Sequence, residues 1–243
     1  MPTARPDHQR RLLDLQARDT AIDRIRHQAG ALRSDPEIAA AQERSTQATA
    51  RRDEAQTEVN AAEEALAAAE AAVEQVATRI QRNQQRLDTG TGSSKDLTAL
   101  QHEIVTLSAR RSDLEDAELA VMERVESAQA ALDETTAATS EATTALGALT
   151  EVRDARLREL SGEFDREKVA RAEVLTGIDD AALVATYEKL RSSHDGVGVA
   201  PLQGSRCGGC MLELNPKDLA AIRAAADDAV VRCEECGRIL VRS

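Results

Sequence analysis

The chain has 243 residues, of which 30% are charged, with a formal net charge of −12, one Phe, one Tyr and no Trp. A compact core of this size ordinarily draws on bulky aromatics, whereas an apolar fraction built from Ala, Leu and Val beside this much charge belongs to long exposed helices and coiled coils. The negative balance repels a phosphate backbone over the molecule as a whole and points to protein partners.

From about His8 to Ser34 the spacing predicts a first helix, with Leu15, Ile22 and Ala29 on one row and Ile25 and Leu32 on the next. A bend is expected near 34–37, because Pro36 suits the first turn of a new helix, where its missing donor would be orphaned anyway. From Ile38 a 3,4 alternation runs through Ala41, Ser45, Ala48, Arg52, Ala55, Val59, Ala62, Leu66, Ala69, Val73, Val76, Ile80, Asn83 and Leu87. A sustained period of 3.5 keeps one seam facing a partner helix, and about 50 residues at about 1.5 Å each make an arm of about 75 Å. Arg52 and Asn83 interrupt the seam, which costs stability and fixes register.

Asp88-Thr89-Gly90-Thr91-Gly92-Ser93 ends that run, and Ser93 with Asp96 has the spacing of a capping box, so a hairpin tip is expected near 88–95. Gly90 to Lys95 has only a superficial likeness to a phosphate loop: it lacks the Gly before Lys and follows a helix, which leaves Lys95 as an exposed contact residue. The alternation restarts at Leu97 and continues through Leu100, Ile104, Leu107, Arg111, Leu114, Glu118, Val121, Val125, Ala128, Leu132, Thr135, Thr139, Ala142, Leu146 and Leu149. Two long heptad runs flanking a short turn predict an intramolecular antiparallel hairpin. The register then drifts through Leu157, Leu160 and Phe164 and recovers in Leu183, Tyr187 and Leu190, after Asp179 as the expected N-cap.

A composition shift at His194-Asp195-Gly196-Val197-Gly198-Val199-Ala200-Pro201 predicts a domain boundary, dividing the chain into a helical hairpin over 1–195 and a small module over 196–243. In that module Asn215 and Pro216 open one short helix, and Val230-Val231-Arg232 and Ile239-Leu240-Val241 read as strands. The fold class is therefore mainly α, a long coiled-coil hairpin with a small C-terminal domain of short strands and one short helix.

The chemistry lies in Cys207-Gly208-Gly209-Cys210 and Cys233-Glu234-Glu235-Cys236, a C-x2-C-x22-C-x2-C pattern. Each pair offers two thiolates to one tetrahedral ion at about 2.3 Å, and four sulfurs close the shell, which predicts one structural zinc. A redox dithiol needs a βαβ context that neither pair has, and a catalytic zinc needs an open position; an iron–sulfur cluster also fits the spacing. With so little apolar material, the module is expected to take much of its folding free energy from the metal.

His8, His27 and His102 lie in polar helical surroundings and are expected to be solvated; His194 reads as a hinge residue. Between Pro201 and the C-terminus Arg206, Lys217, Arg223, Arg232, Arg238 and Arg242 are balanced by Glu213, Asp218, Asp227, Asp228, Glu234 and Glu235, with no aromatic on which to stack a base. An arginine stripe of Arg232, Arg238 and Arg242 nonetheless offers candidate contacts for nucleic acid or a partner. No run approaches the roughly 18 apolar residues of a membrane span and the N-terminus has no signal-peptide apolar stretch, so a cytoplasmic protein without membrane contact is expected. No paired base and nucleophile is present, so neither catalysis nor a small-molecule substrate is expected.

The order of parts, from Leu12-Leu13-Asp14-Leu15-Gln16 through the bend and hairpin to Tyr187-Glu188-Lys189-Leu190-Arg191, Gly196-Val197-Gly198-Val199-Ala200, the two cysteine pairs and Cys236-Gly237-Arg238-Ile239-Leu240, resembles a bacterial family. Its members are coiled-coil hairpin proteins with a four-cysteine zinc ribbon, long described as nucleic-acid-binding zinc ribbons of unknown function, and this chain is most similar to the actinobacterial ones. The resemblance implies Cys207, Cys210, Cys233 and Cys236 as zinc ligands. Some members are linked to an alternative sigma factor and to flagellar or type III export components as adaptors or chaperones, and RNA binding has been suggested for the family. The expectation is a non-enzymatic adaptor with a protein partner, the alternative being a DNA- or RNA-binding regulator acting through the ribbon.

Overall fold

A computed structural model describes residues 2–242, so Met1 and Ser243 lie outside the described residues. The chain divides into two compact units, one formed by Pro36–Thr150 and the other by Met1–Asp35 together with Glu151–Ser243. The first is thus an insertion in the sequence of the second. No helix among the described residues is long and apolar enough to cross a membrane.

The inserted unit is a helical hairpin. Helix α2 (Pro36–Asp88) and the first part of α3 (Ser94–Thr176) run antiparallel. Ser45 Oγ meets Thr143 Oγ1 at 3.5 Å, Thr139 Oγ1 donates to the carbonyl of Ala48 at 3.0 Å, and Arg79 pairs with Glu103. Every expected seam position is buried or half-buried except Arg111, which is exposed and pairs with Glu115 one turn on at 2.9 Å. A guanidinium on a long stem gains more from water and a nearby carboxylate than from a seam with no buried counter-charge. Asn83 does lie in the seam, buried, and its Nδ2 finds no hydrogen-bond partner among the described residues.

At the tip, Ser93 N donates to Asp96 Oδ2 at 3.0 Å and Asp96 N donates to Ser93 Oγ at 3.3 Å. This reciprocal pair satisfies two of the orphan donors that open α3. Hydrogen bonds from Ser93 hold the Asp96 carboxyl below its ordinary range.

The second unit contains helix α1 (Pro6–Arg33), the end of α3, α4 (Ala181–Ser193), α5 (Pro216–Ala224) and a four-stranded sheet. The strands are β1 (Val199–Gln203), β2 (Arg206–Cys207), β3 (Val231–Arg232) and β4 (Ile239–Val241), in the order β2-β1-β4-β3. Strand β1 lies parallel to β4, with Val199 opposite Ile239, while the outer pairs are antiparallel.

Period-2 alternation splits the sheet between two cores. Val199, Val230, Ile239 and Val241 join Leu12 and Leu15 of α1 and Leu183, Tyr187 and Leu190 of α4. Ala200, Val231 and Leu240 face the other way, onto Leu214, Ile222 and the buried Cys207 and Cys233. A sheet buried on both faces needs near-continuous apolar strands, and Ile239-Leu240-Val241 is buried at all three positions.

Two sequence expectations change here. The helix α4 is capped by Asp180, whose side chain accepts from Leu183 N at 2.9 Å, and not by Asp179. His8 is buried at 5% exposure and not solvated, because α1 lays that face against its own unit. The stretch His194–Pro201 leads from α4 into β1, a central strand of the sheet. The N-terminal residues also pair with the ribbon: Ala4 N donates to Asp228 O at 2.7 Å and Val230 N donates to Pro2 O at 2.9 Å.

Candidate metal centre

The two cysteine pairs sit on matching turns. Met211 N donates to Cys207 O at 2.9 Å, and Gly237 N donates to Cys233 O at 2.8 Å, so each pair closes through the same main-chain bond. Cys207 is placed by the end of β2 and Cys233 follows β3; both are buried, while Cys210 and Cys236 are half-exposed. Gly209 N donates to Cys207 Sγ at 3.3 Å, and a Cβ on Gly209 would lie 2.8 Å from Arg238 Cδ, so only glycine brings that amide to the sulfur without displacing a neighbour.

All four Sγ atoms lie within 4.8 Å of one another, with Cys207–Cys236 and Cys210–Cys233 each at 3.9 Å. Zinc–sulfur bonds of about 2.3 Å give a tetrahedron with edges of about 3.8 Å, whereas a disulfide needs about 2.05 Å. The spacing is that of ligands around one ion.

Burial pushes the Cys207 thiol up and the Cys233 thiol up to about 12. Cys236 is also penalised by burial, yet the Arg238 main-chain N–H and side chain, with neighbouring thiols, draw it down to about 7. Thiolate coordination must overcome the raised pair, so metal uptake releases protons and is strongly pH-dependent.

The candidate contact residues are not equivalent. Arg232 is exposed. Arg238 is half-buried and donates to the carbonyls of Val197 at 2.9 Å and His194 at 3.1 Å. Arg242 caps the end of α5 and the following turn, donating to Ile222 O at 3.1 Å, Ala225 O at 2.7 Å and Ala226 O at 2.7 Å. Two of the three guanidinium groups therefore already hold main-chain carbonyls. Lys95 is exposed in the first turn of α3, within the hairpin unit. His194 follows α4, with Nδ1 at 2.9 Å from Leu190 O and at 2.9 Å from Ser193 Oγ.

Sequence reasoning missed a polar cluster that ties α1, α3 and α4 together. Asp19, 2% exposed, accepts from Arg171 Nε at 2.7 Å and from Tyr187 Oη at 2.7 Å, with Arg191 Nε at 3.6 Å. Arg171 also pairs with Glu188, and Arg191 with Asp23. Beside this cluster Gln16 grips the loop before β1: its Nε2 donates to Gly196 O and its Oε1 accepts from Gly198 N, both at 2.8 Å. The available signal was Asp19 itself, which falls on the 3,4-spaced row of Leu12, Leu15 and Ile22.

The CT398-like coiled coil hairpin domain matches residues 15–195, and the C4-type zinc ribbon domain matches residues 206–240. An uncharacterized protein of Mycobacterium tuberculosis is 36% identical over 237 residues, covering 96% of this chain and 95% of its own length. Among solved structures, one from Mycobacterium smegmatis is similar with a TM-score of 0.71 and 38% identity, covering 99% of this chain and 100% of that one. The structure of CT398 from Chlamydia trachomatis has a TM-score of 0.69 at 20% identity, over 98% of both chains, which is a likeness of fold. With its hairpin and its four cysteines arranged for one structural zinc, the chain belongs to the CT398-like coiled-coil hairpin family, carrying a C4 zinc ribbon.

Proposed function

We propose that this protein is a non-enzymatic adaptor that joins protein partners through its coiled-coil arm and its zinc ribbon. The observation that carries the reading is the internal use of Arg238 and Arg242, each of which donates to two or more main-chain carbonyls. A ribbon reading nucleic acid needs guanidinium and ammonium groups free for phosphates. Four sulfurs completing the metal's shell leave no position for a substrate or activated water, which supports a structural ion over a catalytic one.

The test pairs two assays on the intact, zinc-loaded chain. Affinity capture followed by cross-linking is expected to recover a specific protein, and fluorescence anisotropy against mixed DNA and RNA oligonucleotides is expected to show no steep salt-sensitive binding. Tight oligonucleotide binding with a steep negative salt slope, removed by Arg232→Glu, would overturn the adaptor reading in favour of a nucleic-acid regulator.

A further inference from the structure

The two cysteine turns are matched in main-chain hydrogen bonding, although Gly208, Gly209 and Met211 in the first stand where the second has Glu234, Glu235 and Gly237. The residue after the second cysteine has positive φ in both, +72° at Gly237 and +64° at Met211. Glycine adopts that conformation freely, whereas a side chain there is strained. Met211 is nonetheless 59% exposed and the adjoining Leu212 is 52% exposed, so the strain is not offset by burial. Strain kept at an exposed apolar residue marks a place where the side chain serves something outside the fold.

The surroundings are acidic. Glu234 and Glu235 are exposed between Cys233 and Cys236, whose sulfurs approach those of Cys210 and Cys207. Glu213 is exposed beside Leu212, and with Glu234 and Glu235 it makes three exposed glutamates on the two turns and their flanks against two exposed arginines, Arg206 and Arg232. Arg238 is turned onto the carbonyls of Val197 and His194. Four thiolates around one divalent ion add further negative charge.

We infer that Met211 and Leu212 form the docking knob of the zinc ribbon, and that it takes a protein segment presenting an apolar face edged by lysine or arginine. This deepens the adaptor reading and rests on it. Methionine suits such a contact because its unbranched, polarizable side chain adapts to the surface it meets, and the acidic rim selects the sign of the partner's flanking charge.

The chain has only three methionines, so methyl-¹³C methionine labelling isolates the site, with Met122 in the hairpin unit as internal reference. The probe is a helical peptide with a leucine stripe flanked by lysines, titrated into the intact zinc-loaded protein. Its controls replace the leucines by alanine or the lysines by glutamate. The Met211 methyl is expected to shift saturably with the leucine–lysine peptide alone while Met122 stays in place. Met211→Gly and Leu212→Ser are expected to weaken that binding about tenfold, with one zinc retained. A stationary Met211 methyl, or equal binding of the leucine–glutamate peptide, would overturn the inference. A Met211 shift that depends on protein concentration without peptide would replace the partner by a second copy of the chain and overturn it too. Should the intact chain capture a partner equally well with Met211→Gly, the knob is wrong and the adaptor reading stands. Should the peptide bind through Met211 while no protein is captured, the adaptor reading fails instead.

Discussion

Replacing Asp19 by alanine removes the carboxylate that meets Arg171, Arg191 and the Tyr187 hydroxyl together. Deleting one partner of a fully buried ion pair costs about 3–5 kcal/mol. The Arg171 and Arg191 side chains are 23% and 19% exposed and keep Glu188 and Asp23 as second partners, so the lower end applies, about 3 kcal/mol. Asp19→Asn keeps the volume and an acceptor for the tyrosine but turns an amide toward two guanidinium groups, for a loss of about 2 kcal/mol. Urea unfolding of the zinc-saturated protein, followed by tyrosine fluorescence, reads this unit alone, because Tyr187 is the single tyrosine and there is no tryptophan. With a slope of about 2 kcal/mol per molar urea, the midpoint should fall by about 1.5 M for alanine. A fall below about 0.5 M would refute the view that this cluster holds α1, α3 and α4 together.

Serine in place of Cys207 or Cys233 should reduce bound zinc from one equivalent to none and abolish amide-exchange protection in β1–β4, while the hairpin of Pro36–Thr150 keeps its protection. Tyr187 is held protonated far above the usual phenol range, first by burial and then by its bond to Asp19. An unfolded tyrosine ionises near about pH 10, so this contribution is intact below that pH and is lost as pH rises further. Tyrosinate absorbance should appear only together with unfolding, and a free titration in the folded protein would contradict the burial. Gln16→Ala strips the Gly196 carbonyl and the Gly198 amide of their partner and should cost about 2 kcal/mol in the same urea assay. Asn83→Leu removes a buried amide with an unsatisfied donor and should stabilise the hairpin by about 1 kcal/mol in thermal melts followed by circular dichroism.

Local signals carried most of what was legible in the sequence. A 3.5-residue period within one helix identifies its own seam, and only Arg111 departed from it. The cysteine spacing likewise brings two pairs to one ion whatever the rest of the chain does. The missing parts depend on segments far apart in sequence. Nothing in Val199–Gln203 says that it will lie parallel to Ile239–Val241, a pairing that no hairpin signal announces. His8 read as solvated although it lies one turn before Leu12, among the residues that α1 buries, and Asp19 read as ordinary helix charge although it interrupts an apolar row. A charged residue on such a row is the feature to search for, since it is tolerated only where opposite charge arrives from elsewhere.

The insertion of Pro36–Thr150 within the other unit makes the arm a matter of folding order. A disordered segment of that length would oppose the meeting of α1 with the ribbon by about 4 kcal/mol of loop-closure entropy. A helical hairpin formed first removes most of that penalty, because its two ends already lie side by side. The arm is then free to lengthen in evolution by matched heptads on both helices, at no cost to the closure on which the zinc-bearing unit depends.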